Sequence, residues 1–318
     1  FVFSSLWFAH YCLAALADPH LKHGPLEVLL TIDEEAGMTG AFGLEPGLLE
    51  GEILLNTDSE QDGEVYMGCA GGIDANIHFD FTAEAIPSGW QAYQLQVKGL
   101  RGGHSGGNIH EERGNANKLL ARLLLTLSQQ LPLRLSHIEG GTLRNAIPRE
   151  AQALLLVPAD HSAELATRLE QHAALLRQEL SEVDSNLQIL LNDAAQPATC
   201  FDSDSQGRLL AALVACPNGV IRMCPHILRV VETSTNLGVI KTEAGQVFVQ
   251  CLIRSLNDEG RRYVEQMTHS LFTLAGARCE LRGGYPGWAP DPASPIMQLL
   301  RDTHQTLFGE LPEVMVIH

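Results

Sequence analysis

The chain is short of positive charge: 21 lysines and arginines stand against 38 aspartates and glutamates, a net charge of -17. So acidic a surface argues against nucleic acid and anionic membranes as partners and suits a small cationic or metal-bound ligand. Paired cysteines are lacking too. Cys12, Cys69, Cys200, Cys216, Cys224, Cys251 and Cys279 are odd in number, scattered and free of any Cys-x-x-Cys spacing. Neither a disulfide framework nor a thiolate zinc site is expected, and reduced thiols in a cytoplasmic protein are. Long apolar runs are missing as well. Phe1 to Ala17 comes nearest to a targeting segment, but it has no basic n-region and is short for a membrane span. The chain opens on Phe rather than Met and stops at His318 inside an expected strand, which predicts a processed or partial chain.

What is present is enough apolar residue, 45% of 318, to fill the cores of about two domains. Two runs stand out. Val28 to Ile32 reads as a strand buried on both faces and ends in Asp33-Glu34-Glu35; Ile53-Leu54-Leu55 ends in Asn56-Thr57-Asp58. Open α/β sheets place ligands at such carboxyl ends. Crowded acids there repel one another unless a cation neutralises them, and carboxylates are ligands for Zn, Mn, Mg or Ca. Alternation along an extended chain sends Glu34 and Glu35 opposite ways, so one can bind metal while the other faces a metal-bound water. The same acids would also serve as solvated strand ends or helix N-caps.

Beyond residue 76 the pattern predicts strand Tyr93-Lys98, helix Ala116-Gln130, strands Leu133-His137 and Ala151-Val157, helix Ala163-Leu180 and strand Leu187-Leu191. That order is a ferredoxin-like α+β unit. Residues 192–283 predict a second, with helices Ser205-Ala215 and Arg261-Leu274. Helix Pro295-Phe308 and strand Glu313-Ile317 then return to the first sheet. His104 sits between glycine pairs in a loop with no Lys-Ser or Lys-Thr after it, which argues against a nucleotide site. Asn145 precedes Ala146-Ile147-Pro148 in a turn, and Arg254 follows an apolar strand, placed either to grip a substrate carboxylate or to pair with a structural acid.

Leu30-Thr31-Ile32-Asp33-Glu34-Glu35-Ala36-Gly37-Met38, Asn56-Thr57-Asp58-Ser59-Glu60, Gly102-Gly103-His104-Ser105-Gly106-Gly107, Gly141 to Glu150 and Tyr285-Pro286-Gly287-Trp288 together resemble the bacterial aminoacyl-histidine dipeptidase family (Xaa-His dipeptidases, peptidase D). The likeness runs in order from about Tyr11 to His318. It implies a cytoplasmic di-zinc exopeptidase: an α/β catalytic domain, residues 1–72 with 284–318, and an inserted α+β lid of two ferredoxin-like halves, residues 73–283. On that template Glu34 is the general base, and Glu35 and Asp58 are ligands of two zinc ions. His104, Asn145 and Arg254 are the lid residues that hold the carbonyl and the C-terminal carboxylate of a small Xaa-His dipeptide such as carnosine. A homodimer is compatible with it.

The family's upstream His-x-Asp motif and bridging Asp are not found before Tyr11, and its last zinc histidine falls beyond His318. His318 instead matches a family histidine near the active site. The expectation is therefore a fragment with weak or no activity alone. The alternatives are a non-catalytic binding or dimerisation remnant, or another metallopeptidase or deacylase of the same clan.

Overall fold

A computed structural model describes residues 13–33, 38–56, 61–225 and 227–318. Its main elements in chain order are β1 (Glu64–Cys69), β2 (Gly71–Asp80), β3 (Trp90–Lys98), α1 (Ala116–Gln130), β4 (Arg134–Gly140), β5 (Ala151–Pro158), α2 (Ser162–Glu179) and β6 (Gln188–Asp193). They continue as α3 (Ser203–Ala215), β7 (Val231–Glu243), β8 (Gln246–Ser255), α4 (Asp258–Leu274), β9 (Arg278–Tyr285), α5 (Pro295–Phe308) and β10 (Glu313–Ile317). The chain divides into two compact units, residues 1–65 with 293–313, and residues 66–292 with 314–318.

The larger unit follows from its periodicities. In α1, Leu119, Leu120, Leu123, Leu124 and Leu127 recur at helical spacing and are buried, and the Asn115 side chain caps the start by accepting the Lys118 N–H at 3.2 Å. In β3, Leu95 and Val97 face the helices, while the side chains of Gln94 and Gln96 on the other face both donate to Oε1 of Gln152 in β5, at 2.6 and 3.0 Å. The strands join in the antiparallel order β9-β2-β8-β7-β4-β5-β3-β6, and the helices line one face as α2, α1, α3, α4. One continuous apolar cluster fills the space between the two layers.

Two ferredoxin-like halves make up this sheet. In the first, β3-α1-β4-β5-α2-β6, the strands lie in the order β4-β5-β3-β6; in the second, β2-α3-β7-β8-α4-β9, they lie as β7-β8-β2-β9. The second half is therefore not contained in residues 192–283. Its first strand is β2, which runs the whole length of β8, from Gly71 against Ser255 to Asp80 against Gln246. Strand periodicity says which face a residue takes but not which distant strand it will pair with. The halves meet edge to edge where β7 pairs β4, Ile240 against Gly140 and Lys241 against Glu139.

In the smaller unit α5 forms as its sequence dictates, with Pro295 in the first turn and Gly309 at φ 80° closing it. Two expectations fail there. Val28–Ile32 and Ile53–Leu55 form no strand, and Leu30, Ile32, Ile53, Leu54 and Leu55 are exposed. An apolar run becomes a strand only when a neighbouring strand takes up its N–H and C=O groups, and among the described residues of this unit none does so. The helix at residues 13–17 likewise leaves Leu13 and Leu16 exposed. No described helix is long and apolar enough to cross a membrane.

Candidate anion-binding site

The site lies on the sheet face opposite the helices, over β2, β7 and β8. Register places Ser234 of β7 and Gly72 of β2 on either side of Arg254 of β8, so the three share one face. Loops from the first half cover that face. One runs from Arg101 to Gly114 between β3 and α1, the other from Gly141 to Glu150 between β4 and β5.

Both ends of the first loop are pinned by one buried carboxylate. Asp184 accepts the Arg101 N–H on one oxygen and the Gly114 N–H on the other, each at 2.6 Å. Inside the loop, Arg113 donates to the Gly102 carbonyl and holds Glu111 at 2.7 Å. At its tip Gly103–His104 pairs with Ala146–Ile147, and the Ser105 N–H donates to the Asn145 carbonyl at 2.8 Å.

The second loop is held from below by asparagines. Buried Asn236 donates to the carbonyls of Arg144 and Ala146, at 3.1 and 2.8 Å, and so fixes the residues on both sides of Asn145. Asn115 in turn donates to Asn218 at 3.0 Å and Asn236 at 3.3 Å. Close backbone approach is needed here. Gly141 has φ 68°, and a Cβ on it would run into the Gly238 carbonyl, where β7 bulges between Leu237 and Val239.

The outcome is a convergence of donors. Arg254 Nη2 lies 3.5 Å from His104 Nε2, and its Nε is buried without a partner. Beside them, His318 Nε2 shares a 2.7 Å hydrogen bond with Ser234 Oγ, while its Nδ1 is buried and unpartnered. The Ala70 N–H holds the Ile317 carbonyl at 2.7 Å and so places His318. Burial, then the Arg254 charge, lowers the His104 pKa. Burial, with Arg254, His104 and His110 adding to it, pushes His318 down to about 3. Both imidazoles are neutral at pH 7. Asp74, bonded to Arg144 at 3.1 Å, is raised by burial, an effect that Arg144 and Arg254 oppose. One cation and neutral donors on a partly dry face suit a carboxylate or a developing oxyanion rather than a metal cation.

Of the residues singled out from sequence, His104 and Arg254 come together, and Asn145 joins them through its main chain. Glu34, Glu35 and Asp58 lie outside the described residues. Among the described residues no group of three or more His, Cys, Asp or Glu is placed to hold a metal. Sequence reasoning missed Asp184, Asn236, Asn115 and Ser234. Nothing local marks Asp184, whose partners lie 83 and 70 residues away.

Comparison with known proteins adds three findings. Residues 95–184, within the first half, match the peptidase dimerisation domain of the M20 family. The chain is 51% identical over 308 residues to the cytosol non-specific dipeptidase of Escherichia coli (strain K12), covering 96% of this chain and 63% of that one. The fold matches the crystal structure of aminoacylhistidine dipeptidase from Vibrio alginolyticus with TM-score 0.93 and 55% identity, again over 96% of this chain and 63% of the other. The chain thus spans a little under two thirds of the length of these relatives.

Proposed function

The chain belongs to the M20 peptidase family, in the branch of the aminoacylhistidine dipeptidases, and we propose that it works in the zinc-dependent hydrolysis of Xaa-His dipeptides. The observation that carries this is the Arg254–His104 donor pair, 3.5 Å apart on the sheet face opposite the helices. A dipeptide offers that pair a C-terminal carboxylate and a peptide carbonyl, both oxygen acceptors. Residues 73–283 are the lid in this reading, and residues 1–72 with 284–318 belong to the catalytic domain. The relative's name as a cytosol dipeptidase supports a cytoplasmic protein, and the dimerisation-domain match supports a homodimer.

Glu35 and Asp58 are the residues here that would hold two zinc ions; carboxylates are fitting ligands, whereas the donors of the larger unit fit only the substrate's oxygens. Zinc, when bound, supplies an electrophile for the scissile carbonyl and lowers the pKa of water. Glu34 takes the proton from the attacking water and delivers it to the leaving amine. Arg254 holds the C-terminal carboxylate, which fixes the peptide's direction. His104 donates from Nε2 to the carbonyl oxygen as it gains charge, and Asn145 holds the same segment of substrate.

Steady-state hydrolysis of L-alanyl-L-histidine and β-alanyl-L-histidine by the zinc-loaded protein tests this. Turnover that is lost in Glu34→Gln supports it. Cleavage of N-acyl amino acids but not dipeptides would make the protein a deacylase, and zinc-loaded protein that binds dipeptides without cleaving them would make it a binding protein. Equal rates on dipeptides with and without histidine would widen the substrate to dipeptides in general, as the name of the Escherichia coli relative describes.

A further inference from the structure

We propose that the loop from Arg101 to Gly114 locks the His104 ring as the neutral Nε2–H tautomer, making His104 a permanent hydrogen-bond donor rather than an acid or base, with Asn108 as its positioning residue. Only the identity of the oxygen that receives this bond rests on the dipeptidase reading.

The argument is one of donors and acceptors. His104 Nδ1 lies 3.2 Å from the Gly106 nitrogen and 3.1 Å from the Gly107 nitrogen, and both backbone N–H groups donate to it. A main-chain amide can only donate, so Nδ1 must present its lone pair and the ring proton must sit on Nε2. Protonating Nδ1 would set three N–H groups against one another. Nε2–H then faces the Arg254 guanidinium at 3.5 Å, a donor against a donor, which makes no bond between them. An acceptor oxygen resting on both completes the arrangement. Around the ring stand Arg254 and His318, both basic, with His110 beside His318 and Asp74 beyond Arg254. Burial first, and then the Arg254 charge, opposes a second proton on the ring.

Asn108 holds the turn in both directions. Its side-chain oxygen accepts the His104 N–H at 2.9 Å while its own N–H donates to the His104 carbonyl at 3.0 Å. Its amide nitrogen donates to Glu111 at 2.7 Å, and Glu111 is gripped by Arg113. The ring is thus tied through Asn108 to the ion pair at the base of the loop. The Asn108 side chain spends its bonds on the His104 N–H and on Glu111, so Asn108 acts through His104.

The test is the ring state itself, read by two-bond proton–nitrogen NMR on the full chain labelled with 15N-histidine. Signals of His104 are identified by their loss in His104→Gln. Nδ1 bare and Nε2 protonated at pH 7, with the second proton taken up only below the ordinary histidine range, is the expected result. Gly107→Ala keeps the N–H and has room for its methyl group, the nearest atom being His104 Nδ1 at 3.9 Å, so the signature persists. Gly107→Pro removes the N–H, and Asn108→Ala frees the turn. Both are expected to give mixed tautomers that titrate nearer the ordinary histidine value, with kcat down about tenfold or more and KM little changed. A wild-type ring protonated at Nδ1, or one that titrates like a free histidine, overturns the proposal. The same holds if both variants keep the wild-type spectrum. The expected ring state without dipeptide hydrolysis upholds the lock and removes only the dipeptidase reading.

Discussion

His104 Nε2 and Arg254 Nη2 lie 3.5 Å apart although 150 residues separate them, and each comes from a different half of the larger unit. A substrate oxygen received by both would bind only while the two halves keep their shared seam. Replacing Arg254 by Ala is expected to raise KM for a dipeptide about a hundredfold, from the roughly 2–5 kcal/mol lost when one partner of a desolvated charge pair is removed. Arg254→Lys recovers part of this, since an ammonium keeps the charge without the bidentate fork. Kinetics with a C-terminal amide provide the check: if Arg254→Ala affects amide and acid substrates equally, Arg254 does not hold the carboxylate.

Asp184 bridges the two ends of the His104 loop with its two carboxylate oxygens. Asp184→Ala strips both N–H groups of their charged acceptor in a buried place and is expected to cost about 3 kcal/mol of stability. Asp184→Asn keeps one acceptor oxygen and should cost less. Urea unfolding monitored by circular dichroism measures both, and an Ala variant as stable as the parent would show that the loop is held by its other contacts.

The pH dependence of stability follows from His318, whose pKa is pushed from the ordinary 6.5 to about 3 in the folded chain. Between those values the unfolded chain binds the proton and the folded one does not, so stability falls as pH falls. The contribution is fully present above pH 6.5 and is lost progressively toward pH 3. Its slope approaches about 1.4 kcal/mol per pH unit. His318→Gln is expected to flatten the slope between about pH 6.5 and 5, above the range in which carboxylates titrate. Urea midpoints across that interval decide the matter, and an unchanged slope would mean that His318 is reached by solvent.

Metal binding is predicted to depend on the acids at the ends of the two apolar runs. Zinc titration calorimetry is expected to show specific binding that Glu35→Ala and Asp58→Ala each abolish, and a chelator should remove hydrolysis with the metal. Zinc binding should also raise the thermal midpoint in proportion to the logarithm of free zinc. Undiminished binding in both variants would move the metal site elsewhere in the chain.

The larger unit was legible element by element because its signals are local. The leucines of α1 mark one helical face, and the span expected for that helix, Ala116 to Gln130, is the one observed. Helix α5 of the smaller unit and strand β10 likewise have the bounds expected. Pairing was not legible. The strand that opens the second half, β2, is separated from its partner β8 by the whole first half, and alternation is the same whichever strand lies alongside. In the smaller unit the same local signal misled: Val28 to Ile32 has the composition of a buried strand, but the described residues give it no neighbouring strand.

The site divides along the same line. Glycines flanking a histidine, an asparagine before Ala-Ile-Pro and an arginine ending an apolar strand carry a family likeness, so His104, Asn145 and Arg254 could be named from sequence alone. Their meeting on one sheet face, the bracing of their loops by Asp184 and Asn236, and the burial of His318 against Ser234 were decided by tertiary structure. Residue type and local period fix what a side chain offers and which face it takes. Which donors converge depends on strand register and loop closure between segments far apart in the chain, and no local pattern encodes that.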